Sequence, residues 1–238
     1  MLKLKFNSLK ELNKVLIDCR RCPRLVRWRE KIAREKVPRF KDWNYWGRPV
    51  PGFGSKEAEL LIIGLAPAAH GGNRTGRMFT GDRSGDWLYR ALYKFGFANQ
   101  PVSISKNDGL KLNNCYITAI VRCAPPENKP TSKEISNCNF YLKNEIELLK
   151  NIKVIITLGE LAFKTTIKTL NELGFEKIDG NLKFSHSNVV TFSKNDKENL
   201  KLICSYHPSQ RNTFTGKLTE KMFDEIFSTA RKFLSDVG

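Results

Sequence analysis

No stretch of this 238-residue chain approaches the roughly 20 consecutive apolar residues that span a bilayer. Its most apolar run, residues 60–69, is broken by Gly64 and Pro67, which argues against a membrane-embedded role. The opening MLKLKFNSLKELNKV alternates charged and apolar residues and offers no apolar h-region, so a secretory leader is not expected and a cytoplasmic protein is. Histidine is scarce: His70, His186 and His207 are too few and too scattered for a His-rich metal site. Neither G-x-G-x-x-G nor a P-loop ending in Gly-Lys-Ser/Thr occurs, which disfavours nucleoside triphosphate binding, and there is no internal repeat. Acidic residues are also short, 24 Asp and Glu against 41 Lys and Arg. The net charge of +17 points to a polyanionic partner, either nucleic acid or an acidic membrane surface.

The 40% of hydrophobic residues suffices to fill a core, and the length suits one large domain or two small ones. Four apolar segments read as buried strands: residues 59–65, 114–121, 153–158 and 200–206. Helical patterns alternate with them. One opens on Thr131-Ser132-Lys133-Glu134, a capping box, and places Ile135, Cys138, Leu142, Ile146 and Leu149 on one face. Others run over residues 85–95 before Gly96, 160–173 before Gly174, and 217–234. Alternating strands and helices predict an α/β fold, a three-layer α/β/α sandwich around a four-stranded mainly parallel sheet, in a single domain over residues 1–238. In such folds ligands bind beyond the carboxyl ends of the strands, here the loops after Leu65, Val121 and Tyr206. Residues 98–113 and 179–199 read as polar loops or a hairpin, with a candidate edge strand in residues 185–193.

Six cysteines in a chain of this size, expected in a reducing compartment, suit metal or cluster ligation better than a disulfide framework. Cys19-Arg20-Arg21-Cys22 is a C-x-x-C pair, whereas Cys123 and Cys138 are unevenly spaced. That irregularity is poor evidence for a zinc ribbon; an iron–sulfur cluster tolerates it, and an incidental C-x-x-C with Cys138 as a small core residue fits it too. Cys115 and Cys204 fall within strands and read as inert buried thiols. Ten basic residues lie within positions 20–41 against two acidic ones, Glu30 and Glu35. This segment, with the aromatic, Pro- and Gly-rich residues 42–55, reads as an appendage wrapping the core and offering either a phosphate-binding surface or a solvated helix face.

The loop after the first strand, GLAPAAHGGNRTGRMFTGD (64–82), is rich in small residues that let backbone approach a ligand closely. The last strand delivers His207-Pro208 straight into a loop, which holds the histidine rigidly.

Together GLAPAAHGGNRTGRMFTGDRSGDWLYRAL (64–92), YITAIVRCAPPENKPT (116–131), HPSQRNTFTGKLT (207–219), YWGRPVPGFG (45–54) and the Cys19/Cys22 pair resemble the uracil-DNA glycosylase superfamily, specifically family 5, the type b enzymes with an iron–sulfur cluster. The resemblance covers residues 19–234. It implies excision of uracil from DNA, with deaminated purines as further substrates of some members, and a 4Fe-4S cluster on Cys19, Cys22, Cys123 and Cys138 that ties residues 19–55 to the site. It also implies a base flipped onto Phe79, with His207 and the backbone of Gly64, Leu65 and Ala66 receiving charge that develops on departing uracil. Ala66 and Ala119 stand where sister families carry polar residues. The remaining carboxylate, Asp82, is then either the catalytic group that orients water or supports a cationic sugar, or a helix N-cap. Asn128 is the candidate reader of the uracil edge, with Asn73 a weaker one. Asn73, Arg74, Ser209, Arg211, Asn212 and Phe214 are expected to contact DNA. The expected partner is uracil-containing DNA, acted on by a monomer; nothing in the sequence specifies a sliding clamp or another repair protein. Two other readings compete: a non-catalytic, metal-stabilised nucleic-acid-binding protein, and a zinc-stabilised hydrolase of a small nucleoside.

Overall fold

The computed structural model describes residues 6–194 and 199–235. Seven strands, β1 (Phe53–Gly54), β2 (Leu60–Gly64), β3 (Cys115–Ala119), β4 (Val154–Leu158), β5 (Glu176–Asp179), β6 (Val189–Ser193) and β7 (Asn199–Ser205), form one sheet in the order β1-β3-β2-β4-β7-β6-β5. The four apolar segments become its parallel centre, β3-β2-β4-β7. The expectation of a four-stranded sheet is therefore corrected to seven. Two-residue β1 adds antiparallel to β3, and β6 and β5 add antiparallel beyond β7. The candidate edge strand is β6, which lies inside the sheet because β5 covers it. β5 escaped notice because Glu176, Lys177, Ile178 and Asp179 are all exposed and carry no apolar alternation. Part of the segment read as a polar loop, residues 195–198, lies outside the described residues.

Eight α-helices accompany the sheet among the described residues: α1 (Leu9–Ile17), α2 (Pro23–Glu35), α3 (Gly72–Thr75), α4 (Arg83–Lys94), α5 (Ser132–Leu148), α6 (Glu160–Glu172), α7 (Gln210–Phe214) and α8 (Glu220–Ser235). Alternate residues of each central strand point to opposite faces. Leu60, Ile62, Ile117, Ile156 and Ile203 pack with Leu88, Tyr89 and Leu92 of α4 and Phe223, Ile226, Phe227 and Ala230 of α8. On the other face Leu61, Ile63, Tyr116, Ile155 and Leu202 meet Leu142 and Ile146 of α5 and Ala162, Phe163 and Leu170 of α6. These two clusters make the three layers. The capping box at Thr131 and Glu134 forms as expected and fixes the start of α5. The last helix starts at Glu220 rather than residue 217, and Leu218 is buried in the turn before it.

The amino-terminal segment is more helical than its composition suggests. Leu12 and Leu16 of α1, one turn apart, pack on Tyr141 of α5, and Leu25 of α2 joins the core under the sheet. Residues 98–113 are held by the Arg77–Asp108 ion pair, 2.7 Å, with Arg77 also donating to Ser103 Oγ at 2.6 Å. Gly81 N–H donates to the Ser103 carbonyl at 2.9 Å, so this segment braces the loop after β2.

Candidate active site

The carboxyl ends of β2 and β7 and the amino terminus of α4 surround a crevice of about 530 Å³. Leu65, Ala66, Ala68, Phe79, Asp82, Arg83, Ser84, Asn128, His207, Ser209, Gln210 and Arg211 line it. Eight of these are among the residues that the sequence and its family resemblance point to, and the structure brings them together. Ala68, Arg83, Ser84 and Gln210 were missed, although Arg83 and Ser84 directly follow Asp82 in the first turn of α4.

Phe79 sits in left-handed backbone, φ +53°, uncommon for a residue with a bulky side chain. Two glycines permit it. A Cβ at Gly64 would lie 2.5 Å from Phe79 Cζ, and one at Gly85 would lie 1.8 Å from the Phe79 carbonyl oxygen. The ring is 6.3 Å from that of His207, inclined by 32°, and both face the same space.

Asp82 is both an N-cap and part of the crevice wall. Its Oδ1 accepts from Gly85 N–H at 3.0 Å, while a Cβ at Gly71 would fall 2.2 Å from Oδ2. Desolvation raises its carboxyl above the usual range, only partly offset by the Gly85 N–H. A crevice carboxylate with a raised pKa at a helix N-terminus is the kind of group found at reacting centres.

His207 is fixed through its backbone: its carbonyl accepts from Ser209 N–H at 2.8 Å and from Asn212 Nδ2 at 2.8 Å. Burial pushes the imidazole down to about 4, so the ring is neutral at pH 7 and one nitrogen carries a donor N–H. Ser209 Oγ in turn caps α7 by accepting from Asn212 N–H. Asn212 thus positions His207 rather than lining the crevice. Phe214 stands 67% exposed, with the Arg83 guanidinium 4.4 Å from its ring centroid, a contact between α4 and α7. Asn128 projects from a loop in which Glu127 and Asn128 both adopt positive φ.

Two residues expected to contact DNA are corrected. Asn73 is fully buried and donates from Nδ2 to the Arg29 carbonyl at 3.2 Å. Arg74, 3% exposed, donates to the carbonyls of His70 and Gly81 and packs 3.9 Å from the Phe40 ring centroid and 4.1 Å from that of Trp43. Both hold the site loop in shape and neither is accessible to a duplex.

On the sheet face beneath α5, Cys19, Cys22, Cys123 and Cys138 line one small apolar cavity, with Leu16, Leu25, Val26 and Tyr141. N–H donors already address three of the sulfurs. Arg29 Nη1 is 2.9 Å from Cys123 Sγ, Arg122 N–H donates to Cys138 Sγ at 3.3 Å, and Asn137 Nδ2 is 3.6 Å from Cys22 Sγ. Among the described residues no three or more His, Cys, Asp or Glu side chains converge on one point as a single metal ion requires. Four thiols around an apolar cavity, with no imidazole or carboxylate, are a donor set suited to a larger iron–sulfur group. Cys115 and Cys204 are buried in β3 and β7.

The sequence signature of the Uracil DNA glycosylase superfamily matches residues 51–231. The chain belongs to that superfamily. It is 50% identical over 226 residues to a Type-5 uracil-DNA glycosylase of Mycobacterium bovis, covering 94% of this chain and 81% of the relative. It is 42% identical to one of Thermus thermophilus (91% and 94% covered) and 32% identical to a Type-4 uracil-DNA glycosylase of Saccharolobus solfataricus (84% and 82% covered). The superfamily match spans the loops that carry Phe79, Asp82 and His207. Among the described residues no helix is long and apolar enough to cross a membrane.

Proposed function

We propose that this superfamily member is a DNA repair glycosylase that turns uracil out of DNA and hydrolyses its N-glycosidic bond, leaving an abasic site. The observation that carries the reading is the convergence of Phe79, Asp82 and a neutral His207 on one crevice at the strand ends. An everted base stacks on Phe79, a contact worth about 1–3 kcal/mol. Extrusion costs a few kcal/mol, less for a mispaired base such as uracil opposite guanine.

As the glycosidic bond breaks, negative charge gathers on uracil and positive charge on the sugar. The His207 ring N–H donates to uracil O2 and takes up the first; a fixed donor of this kind contributes about 2.7–4 kcal/mol. Leu65 and Ala66 line the same crevice, whereas Gly64, the last residue of β2, does not line it and acts by leaving room for the Phe79 ring. Asp82, with Oδ1 held by Gly85, presents negative charge that supports the cationic sugar and orients the attacking water. Asn128 reads the uracil edge through its amide. Ser209, Arg211, Asn212 and Phe214 lie on the segment that presses on the duplex, with Arg211 and Phe214 exposed for contact and Asn212 acting through His207.

Cys19, Cys22, Cys123 and Cys138 would hold a 4Fe-4S cluster as thiolates, and its contribution would be to tie together the turn after α1, the start of α2, the loop after β3 and α5. The four-thiol donor set and the N–H groups aimed at the sulfurs support this reading.

A base-release panel on duplexes carrying uracil, hypoxanthine or xanthine, followed by alkaline cleavage at abasic sites, tests the function. Uracil release is expected, and the purine arms define its breadth. Strand cleavage no greater than in a lesion-free control would overturn the glycosylase reading.

A further inference from the structure

Two of the four most buried arginines pair with carboxylates, and a third packs against aromatic rings. Arg77 pairs with Asp108, Arg122 with Glu145, and Arg74 lies over the faces of Phe40 and Trp43. Arg29, on α2 and 2% exposed, has neither a carboxylate within 4.0 Å nor an aromatic face among the described residues. Its Nη1 points at Cys123 Sγ at 2.9 Å, its Nη2 donates to the Cys19 carbonyl at 3.2 Å, and its Nε has no partner among the described residues. A guanidinium taken out of water without a counter-charge is strongly disfavoured. A protonated thiol carries no charge to offset it, whereas a metal-ligating thiolate does and accepts a charge-assisted hydrogen bond.

We propose that Arg29 is the buried counter-ion of the thiolate-held cluster, setting its charge balance through Cys123 while its main chain anchors the glycosylase loop. The second half rests on the Asn73 amide, which reaches from the site loop to the Arg29 carbonyl at 3.2 Å. One residue therefore joins the cysteine cavity to the segment carrying Phe79 and Asp82. The proposal depends on the cluster reading above and adds to it a specific positioning residue. Arg21 and Arg122 also line the cysteine cavity, but Arg122 is paired with Glu145, which leaves Arg29 as the buried guanidinium without a carboxylate. A positive charge beside the sulfurs stabilises the more reduced member of any cluster couple, because reduction makes the site more negative. Its removal must then lower the potential, whichever couple is accessible.

The test uses full-length, anaerobically purified wild type, Arg29→Gln and Arg29→Lys. Iron and sulfide are measured per chain, the midpoint potential by film voltammetry, and cluster loss by bleaching of visible absorbance in the presence of a chelator. Arg29→Gln should hold iron, show a more negative potential and bleach several-fold faster. Arg29→Lys keeps the charge and should return the potential toward wild type, while bleaching faster because the two-pronged contact is gone. Should Arg29→Gln fail to fold, pulsed EPR of the paramagnetic cluster in guanidino-15N-arginine protein supplies the readout, a nitrogen coupling in wild type that vanishes in Arg29→Lys. Equal potentials in wild type and Arg29→Gln, or no arginine coupling, would overturn the role of Arg29 alone. Wild type devoid of iron and sulfide would instead overturn the cluster reading beneath it.

Discussion

Phe79 owes the position of its ring to Gly64, where a single added carbon would stand 2.5 Å from Phe79 Cζ. The backbone of Gly64 is ordinary strand and accepts alanine, so Gly64→Ala should fold while driving the ring into the crevice. If a base stacks there, loss of about 1–3 kcal/mol corresponds to a fall of roughly 5–150-fold in single-turnover uracil release. Phe79→Ala should fall in the same range. Wild-type rates in both variants would show that the ring is core packing and not a platform.

For Asp82 the cap and the chemistry pull apart, and pH separates them. Its folded-state pKa is raised, so the ionised form is disfavoured by folding, and the resulting penalty grows as pH climbs from the unfolded value to the folded one. Asp82→Asn carries no charge and still caps a helix well. It should be at least as stable as wild type at pH 7 by thermal melting. Because the carboxylate is the working form, wild-type single-turnover rates should rise with pH along an acid limb displaced above the ordinary aspartate range, and Asp82→Asn should be slow and lack that limb. An unchanged limb in the variant would assign it to another group.

The neutral imidazole of His207 carries a different signature. With its pKa pushed down to about 4, it undergoes no protonation change between pH 5.5 and 8. The rate profile should therefore show no inflection near 6.5, the value of a solvated histidine. His207→Ala should reduce single-turnover cleavage by about 100–1,000-fold with DNA affinity nearly intact. Asn212→Ala, which removes only the 2.8 Å bond to the His207 carbonyl, should lose activity by a smaller factor. An inflection near 6.5 that disappears in His207→Ala would contradict the buried, neutral state.

The central strands were legible because burial on both faces writes a continuous apolar run, as in LLIIG of β2 and VIITL of β4. The helices with explicit punctuation, Thr131 to Glu134 for α5 and Gly96 after α4, were legible for the same local reasons. What the sequence hid is tertiary in origin. Among the described residues β5 pairs only with β6, and α1 is a nine-residue helix that needs Tyr141 to pack on. Within the site, His207 was legible at a strand end and Asp82 as either an N-cap or a catalytic group, whereas the stacking role of Phe79 came only from the family resemblance. Asn73 and Arg74 were misread as DNA contacts because polar residues in a Gly-rich loop look exposed, yet here they satisfy carbonyls within it. Arg29 was indistinguishable from nine other basic residues until its burial set it apart.

The brace beneath the site loop gives an opposite pH dependence from Asp82. Burial alone would raise the Asp108 carboxyl, but hydrogen bonds from Arg77 and from the backbone N–H groups of Ile104, Ser105 and Leu110 outweigh it and hold the pKa at about 2. A depressed carboxylate stabilises the fold above its unfolded pKa, near 3.9, and that contribution is lost as pH falls through the folded value. Asp108→Asn leaves Arg77, 3% exposed, without its anion, a change that typically costs about 3–5 kcal/mol. Its denaturant midpoint at pH 7 should drop accordingly, and the gap from wild type should narrow as both are taken toward pH 2. Arg77 also donates to Thr80 Oγ1 at 2.9 Å, one residue from Phe79 and two from Asp82, so the variant should release uracil more slowly even at temperatures where it remains folded. A stability loss that is constant from pH 7 to pH 2 would show that the ion pair is not what braces the loop.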